Sequence, residues 1–365
     1  MGLTQMFTTD ATNLNRLMNC NGSRLMGGEN SPMSAAPIVD GRDEGNAAHW
    51  LAQRTFCSDR IENDFIDQKA PNGFFITQDI AEHVSDYNNY IEEHAGSVEF
   101  ESSFGNEHFI VNCRADHVGV KNGILHIDDF KYGWRIVEPD MNWTLIAHAI
   151  GYFIQNPQHT IAQIKFTVIQ PRPGHPLGHV RSWQIDYGEF VKLWNKVYDT
   201  LSNLSEDLNT GSHCAKCPSL FNCPAARMAS MNSIEASTIA HDDEIDNALL
   251  SFELDTLYRA KSALISRLEA LEELAINRSM KGEVVENYSV ERGLGNTTWI
   301  KGVTPEIIKT LTGVDVVSGK MITPNQAIKK HANETAVKAL TYRPQTGMKL
   351  KRIDANKKAQ RIFNT

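Results

Sequence analysis

A chain of 365 residues, 41% apolar and 22% charged, has the make-up of a soluble globular protein with room for two or three domains. Its formal charge of −8 excludes a polycation that grips nucleic acid over its whole surface, so phosphate contacts must use local basic patches. No run of 18 apolar residues is present and the opening Met-Gly-Leu-Thr-Gln-Met-Phe lacks a basic-then-apolar leader, so the expectation is no membrane span and a cytoplasmic site in a bacterial host cell.

Residues 1–40 are polar and rich in Gly, Ser, Asn and Pro, with one short helical stretch around Leu14–Met18; they carry Cys20. Between Asp43 and Phe56, Ala47, Ala48, Leu51 and Ala52 make an apolar stripe at helical spacing, and Ile80, Val84, Tyr87 and Ile91 make another within 78–94. Strands are expected near 97–101 and across 108–131. Residues 141–154 are apolar almost throughout and predict a helix buried against a sheet. Strands at Ile164–Ile169 and Arg181–Ile185 and a helix over Phe190–Leu204 follow. This order predicts an α/β fold with a mixed sheet, its core spanning 41–210. A cysteine segment occupies 211–232 and a long helical region 233–281. There Leu254, Leu257, Leu264, Leu268, Leu271 and Ala275 form a heptad-like seam, which fits a coiled coil between molecules or a long helix packed on its own domain. Residues 282–342 read as a small α/β module, with strands near 284–290 and 297–300 and helices near 305–311 and 324–339. The tail 343–365 is basic. Lys349, Lys351 and Arg352 lead a run of cations facing only Asp354, which fits either a phosphate contact or a solubilising tail.

The chemistry concentrates in Asp116–Lys131. Val118, Val120, Leu125 and Ile127 alternate around Asn122-Gly123, a strong signal for a two-residue hairpin turn. With that turn Lys121 pairs with Ile124, and counting outward sets Asp116 opposite Asp129. Two opposed carboxylates repel unless a cation lies between them. A divalent metal is the natural remedy, with Asp116 and Asp129 as ligands, the backbone carbonyl of Phe130 as a third, and Lys131 beside the bound water. Asp128 points to the other side. The same residues also fit a surface hairpin with scattered acids.

Asp116 followed by Asp129-x-Lys131 on paired strands resembles the core of the PD-(D/E)xK nucleases. Gly45-Asn-Ala-Ala-His49 resembles the Gly-x-x-x-His helix of the RecB-type exonucleases, whose histidine is a metal ligand in some members. Ser103-Phe-Gly, Arg114-Ala-Asp116, Asp129–Gly133, Gln170-Pro-Arg172 and the Leu350–Ile353 region make the chain similar to a phage-associated family of unassigned function in that group. This resemblance covers most of the chain. It implies a mixed central sheet flanked by helices, a Mg²⁺ or Mn²⁺ ion held by His49, Asp116 and Asp129, and catalysis by Asp116, Asp129 and Lys131. It also implies a DNA substrate, single-stranded or with duplex ends, and a phage recombination or single-strand-annealing protein as partner. Acids occur in that family at the positions of Glu44 and Glu99. One departure stands out: the usual Gln-x-x-x-Tyr on the following helix is replaced by Thr144 and His148. Gln170 and Arg172 are candidates to compensate at the DNA backbone; a plain turn is the alternative.

The six cysteines are Cys20, Cys57, Cys113, Cys214, Cys217 and Cys223. In a reducing compartment the tight trio at 214–223 argues for metal rather than disulfide. RecB-type nucleases such as the AddB helicase-nuclease subunit and CRISPR adaptation nucleases hold a 4Fe–4S cluster with such a trio and one cysteine far upstream. Cys20 stands at that upstream place. Thiolates also suit zinc, the alternative; Cys57 is the rival fourth ligand and Cys113 reads as a buried strand residue. The expected activity is a metal-dependent DNA exonuclease of recombination type. A DNA-binding or assembly module with weak or no hydrolysis is the alternative, and an RNA nuclease of the same fold a third.

Overall fold

The structure is a computed structural model and describes residues 6–26, 42–56, 58–94, 96–203, 205–236, 246–294, 297–300, 302–318, 320–343 and 345–352. Cys57, the side chain of Arg352 and the tail beyond it lie outside the described residues. The described residues divide into two units, the second beginning at Glu272.

Six strands make one sheet in the first unit: β1 (Phe7–Asp10), β2 (Gly96–Gly105), β3 (Phe109–Lys121), β4 (Ile124–Phe130), β5 (Gln163–Ile169) and β6 (Val180–Asp186). β1 runs parallel to β3 and β4 parallel to β5; the other pairs are antiparallel. The sheet is therefore mixed, as the alternation of helices and strands predicts. The N-terminal segment is not separate from it, because Phe7–Asp10 pairs with Phe109–Asn112. Four residues flanked by polar sequence carry too little pattern to declare themselves a strand.

Asn122 and Gly123 both take positive φ, 54° and 74°, as a primed hairpin turn requires. Lys121 faces Ile124, and the ladder runs back to His117 opposite Asp128. β3 is the longest strand and is paired by β2 along one edge. Its other edge is shared: β1 covers Phe109–Asn112 and β4 covers His117–Lys121. Residues 113–116 lie in the gap between these two partners.

The helices are α1 (Leu14–Leu17), α2 (Arg42–Thr55), α3 (Gln78–Glu92), α4 (Trp143–Gln155), α5 (Tyr187–Ser202), α6 (Pro224–Ala236) and α7 (Asn247–Met280). α1, α4 and α5 cover one face of the sheet, packing Leu14, Ile150 and Phe190 with Val118, Ile127 and Phe166. α2 and α3 cover the other, packing Leu51, Val84 and Tyr87 with Phe130 and Ile169. α4 is buried nearly all round, in keeping with its apolar sequence. Gly151 lets it lie close on β2, since a Cβ there would sit 2.1 Å from Ser102 Oγ. Helix starts follow local chemistry: Thr77, Asn142 and Asp186 each accept a backbone N–H in the first turn that follows.

The alternation of faces slips once. Phe109, Val111, Cys113 and Ala115 all join the α4 core, and so does Val118, three residues beyond Ala115. The slip falls at Asp116–His117. In β2 the matching irregularity is Glu99, at the register position facing Asp116, with a φ of 50° that L-residues seldom adopt.

α7 is a single helix of 34 residues, and the division between units falls inside it rather than after it. Ala270 packs on Leu220, and Arg267 donates to the Leu220 carbonyl at 3.1 Å. Leu254, Leu257, Leu268 and Leu271 of the seam stay at least 40% exposed.

The second unit contains β7 (Tyr288–Leu294), β8 (Thr298–Trp299), α8 (Pro305–Thr312), β9 (Val317–Ser318), β10 (Lys320–Met321), α9 (Pro324–Lys329), α10 (Glu334–Ala339), β11 (Thr341–Tyr342) and β12 (Gln345–Arg352). Its core gathers Ile308, Val316, Ala327 and Val337. The expected single helix over 324–339 is two, because His331 turns left-handed at φ 64° and Asn333 caps a fresh start by accepting from Thr335 and Ala336. The beginning of the basic tail is strand β12, antiparallel to β7.

Candidate active site and cysteine cavity

The gap in the edge of β3 opens into a cleft of about 470 Å³ lined by His49, Glu99, Asp116, Asp129, Lys131 and His148. Asp116 closes the end of the hairpin: its Oδ2 accepts the Phe130 N–H at 2.9 Å. This bond ties the Phe130 backbone, whose carbonyl the sequence reading offers as a metal ligand, to the first of the two acids. His49 reaches from α2 and sets Nδ1 3.5 Å from Asp116 Oδ1, its ring edge-on to Phe130. Lys131 Nζ lies 2.7 Å from Asp129 Oδ1. Asp129 Oδ2 is buried with no hydrogen-bond partner among the described residues.

The electrostatics separate the two acids. Burial pushes Asp116 up, but His49, Lys131 and the Phe130 N–H together outweigh it and hold its carboxyl below the usual range. Asp129 goes the other way: burial, with Asp116 alongside, raises it in spite of Lys131. Burial alone would lower Lys131, but Asp129 and Asp116 raise it, so it stays an ammonium. His148 is held neutral at about 4, chiefly by burial, and its buried Nδ1 has no partner among the described residues.

Thr144 and His148, known from sequence only as a departure from a motif, both line this cleft. Helical spacing from the motif was the signal that could have found them. Glu44 stands apart, paired at 2.6 Å with Arg172, which lies over the rings of Tyr132 and Trp134. Gln170 is not a surface residue. It is fully buried; its Nε2 donates to the carbonyls of Gly133 and Arg135, and its Oε1 accepts from Val137 N–H and Arg181. Gln170 braces the 133–137 loop instead of meeting a ligand. On β12 Lys349 and Lys351 are exposed, with Lys351 paired to Glu291 at 2.9 Å.

Cys20, Cys214, Cys217 and Cys223 line one small cavity. Cys20 follows α1, and the trio belongs to the 3₁₀ turn Ser212–Lys216 and the residues before α6. The Asn209 N–H donates to Cys20 Sγ and the Gly211 N–H to Cys214 Sγ, both at 3.4 Å. Burial pushes the Cys217 thiol up. Cys113 is buried on β3 and donates to the Ala147 carbonyl at 3.4 Å.

The fold so built is a mixed α/β protein, a mixed central sheet flanked by helices, with a polar cleft at a broken strand edge. Among the described residues no helix is long and apolar enough to cross a membrane. The chain belongs to the DUF2800 family, whose model, described as "Protein of unknown function (DUF2800)", matches residues 14–351. A solved structure titled "Crystal structure of SSO0001" is similar at 17% identity over 40% of this chain and 67% of its own, with a TM-score of 0.24. No curated protein matches the chain.

Proposed function

We propose that the chain is a metal-dependent nuclease of PD-(D/E)xK, RecB-like type that hydrolyses phosphodiester bonds of DNA, acting as an exonuclease in phage recombination or replication. The observation that carries this reading is the convergence of Asp116, Asp129, Lys131 and His49 on one cleft, with a buried Asp129 oxygen left without a partner. Asp116, Asp129 and His49 would hold Mg²⁺ or Mn²⁺, and the donor set of two carboxylates and an imidazole suits such an ion. When bound, the ion supplies an activated water and takes up charge on a phosphate oxygen. Lys131 keeps its proton, so it orients water and phosphate as a cation and does not act as the base. Its side chain is 36% exposed, against 7% for Asp129, so it can turn toward a substrate. His148 offers an uncharged imidazole where related enzymes carry tyrosine.

The cysteines support a second prosthetic group, a 4Fe–4S cluster held by Cys20, Cys214, Cys217 and Cys223. Thiolates suit iron–sulfur clusters and zinc alike, and backbone N–H groups aimed at two of the sulfurs are the kind of contact that tunes such a cluster.

The test is hydrolysis of end-labelled single- and double-stranded DNA with Mg²⁺ or Mn²⁺, comparing wild type with Asp129→Ala and Lys131→Ala. Loss in both variants is expected; equal activity in all three removes the site. A wild type that binds DNA without cutting it supports the other reading, a DNA-binding or assembly module. The exposed apolar residues of α7 favour that alternative.

A further inference from the structure

The face of the hairpin turned away from the cleft carries a second polar cluster. His117 and Asp128 are a cross-strand pair, His126 lies two residues from Asp128 on β4, and His94 follows the end of α3. All four are buried, His117 and Asp128 completely. His117 Nδ1 lies 3.0 Å from Asp128 Oδ2, and His94 Nδ1 lies 3.6 Å from the same oxygen. The rings of His94 and His126 stack at 4.0 Å.

Their polar atoms are not used up. His94 Nδ1, His126 Nδ1, His117 Nε2 and Asp128 Oδ1 are buried without hydrogen-bond partners among the described residues. Such orphans cost roughly 1–3 kcal/mol each, more for a charged group, so four together call for a partner. One ligand atom from each of His94, His126 and Asp128 lies within 4.8 Å of the other two. Ligand atoms around a tetrahedral ion at roughly 2.0–2.1 Å stand about 3.3 Å apart, so only a small contraction is needed.

The geometry points to a structural metal site, with His94, His126 and Asp128 as ligands to a zinc-class divalent ion. Imidazole nitrogen with one carboxylate is a donor set for zinc or its transition-metal neighbours rather than for magnesium. His117 donates its Nδ1 proton to Asp128 and so fixes the carboxylate, the role that hydrogen-bonded neighbours of metal ligands usually play. The ion would pin the end of α3 to the hairpin whose opposite face carries Asp116 and Asp129.

The test uses the full chain, stripped with a chelator and reloaded with Zn²⁺, with bound metal counted by mass spectrometry and melting followed with and without the ion. Wild type should regain one equivalent that raises its melting temperature. His126→Phe, which keeps an aromatic ring for the stack, should lose that equivalent, while Cys217→Ala and Asp129→Asn keep it. Equal zinc in wild type and His126→Phe would overturn the assignment. X-ray absorption on wild type decides the matter if the variant fails to fold: zinc with nitrogen and oxygen neighbours supports the site, and zinc with sulfur neighbours alone refutes it.

Discussion

The two faces of the β3–β4 hairpin use adjacent residues for opposite ends. Asp129 turns to an open cleft beside an exposed ammonium and an imidazole that is also partly exposed. Asp128, one residue earlier, turns into a closed interior and meets only histidines. Both carboxylates are buried, but their environments drive them apart: Asp129 is raised and Asp128 lowered to about 2. A like charge at Asp116 sits beside the first, while a hydrogen bond from His117, with His94 alongside, holds the second. The lesson is that burial alone says little about a carboxylate; the charges and hydrogen-bond donors that face it decide which way its proton affinity moves.

The sharpest way to break this contrast is to remove both acids in turn. Asp128→Ala should cost about 1–3 kcal/mol of folding stability in denaturant melts, since it strips the fully buried His117 of its hydrogen-bond partner. Asp129→Asn should cost less than about 1 kcal/mol or even stabilise, because it relieves the repulsion with Asp116. Comparable losses from the two would erase the distinction. In DNA hydrolysis the order reverses: Asp129→Asn should lower the rate about 100-fold or more. Lys131→Met should lower kcat by about 10-fold, with thermal stability little changed, which asks whether the open face serves chemistry rather than folding. The smallest effect is alkaline. Burial pushes the Cys113 thiol from 9.0 to about 12, so the unfolded chain loses that proton first as pH rises. The stabilisation is complete below pH 9 and declines toward 12. Near pH 10 the loss should be about 1 kcal/mol, and Cys113→Ala should flatten that slope in pH-dependent unfolding, away from either face.

What could be read from sequence follows the range of each interaction. The Asn122-Gly123 turn and the register from Lys121 to His117 were legible because hairpin rules are local. So was the turn of Asp128 to the side opposite Asp129, by simple parity. The meeting of His49 with Asp116 was reachable only by resemblance, since nothing local links residues so far apart. The histidine cluster was missed although His117, His126 and Asp128 share a face. Its meaning depends on His94, delivered by a helix that sequence cannot dock. Gln170 was misread for the same reason, because the loop it braces is defined only by the folded chain. The slip at Asp116 was invisible too, as no local pattern announces it or the unusual φ of Glu99 that faces it in the neighbouring strand.

The cavity shared by Cys20 and Cys214–Cys223 has a consequence for biosynthesis. A ribosome releases Cys20 early, but its three companions emerge some two hundred residues later. β1 must likewise wait for β3 before it can pair. Any inorganic cofactor destined for that cavity would have to be inserted late, and a nascent chain stalled before Cys214 would hold only one of the four thiols that line it.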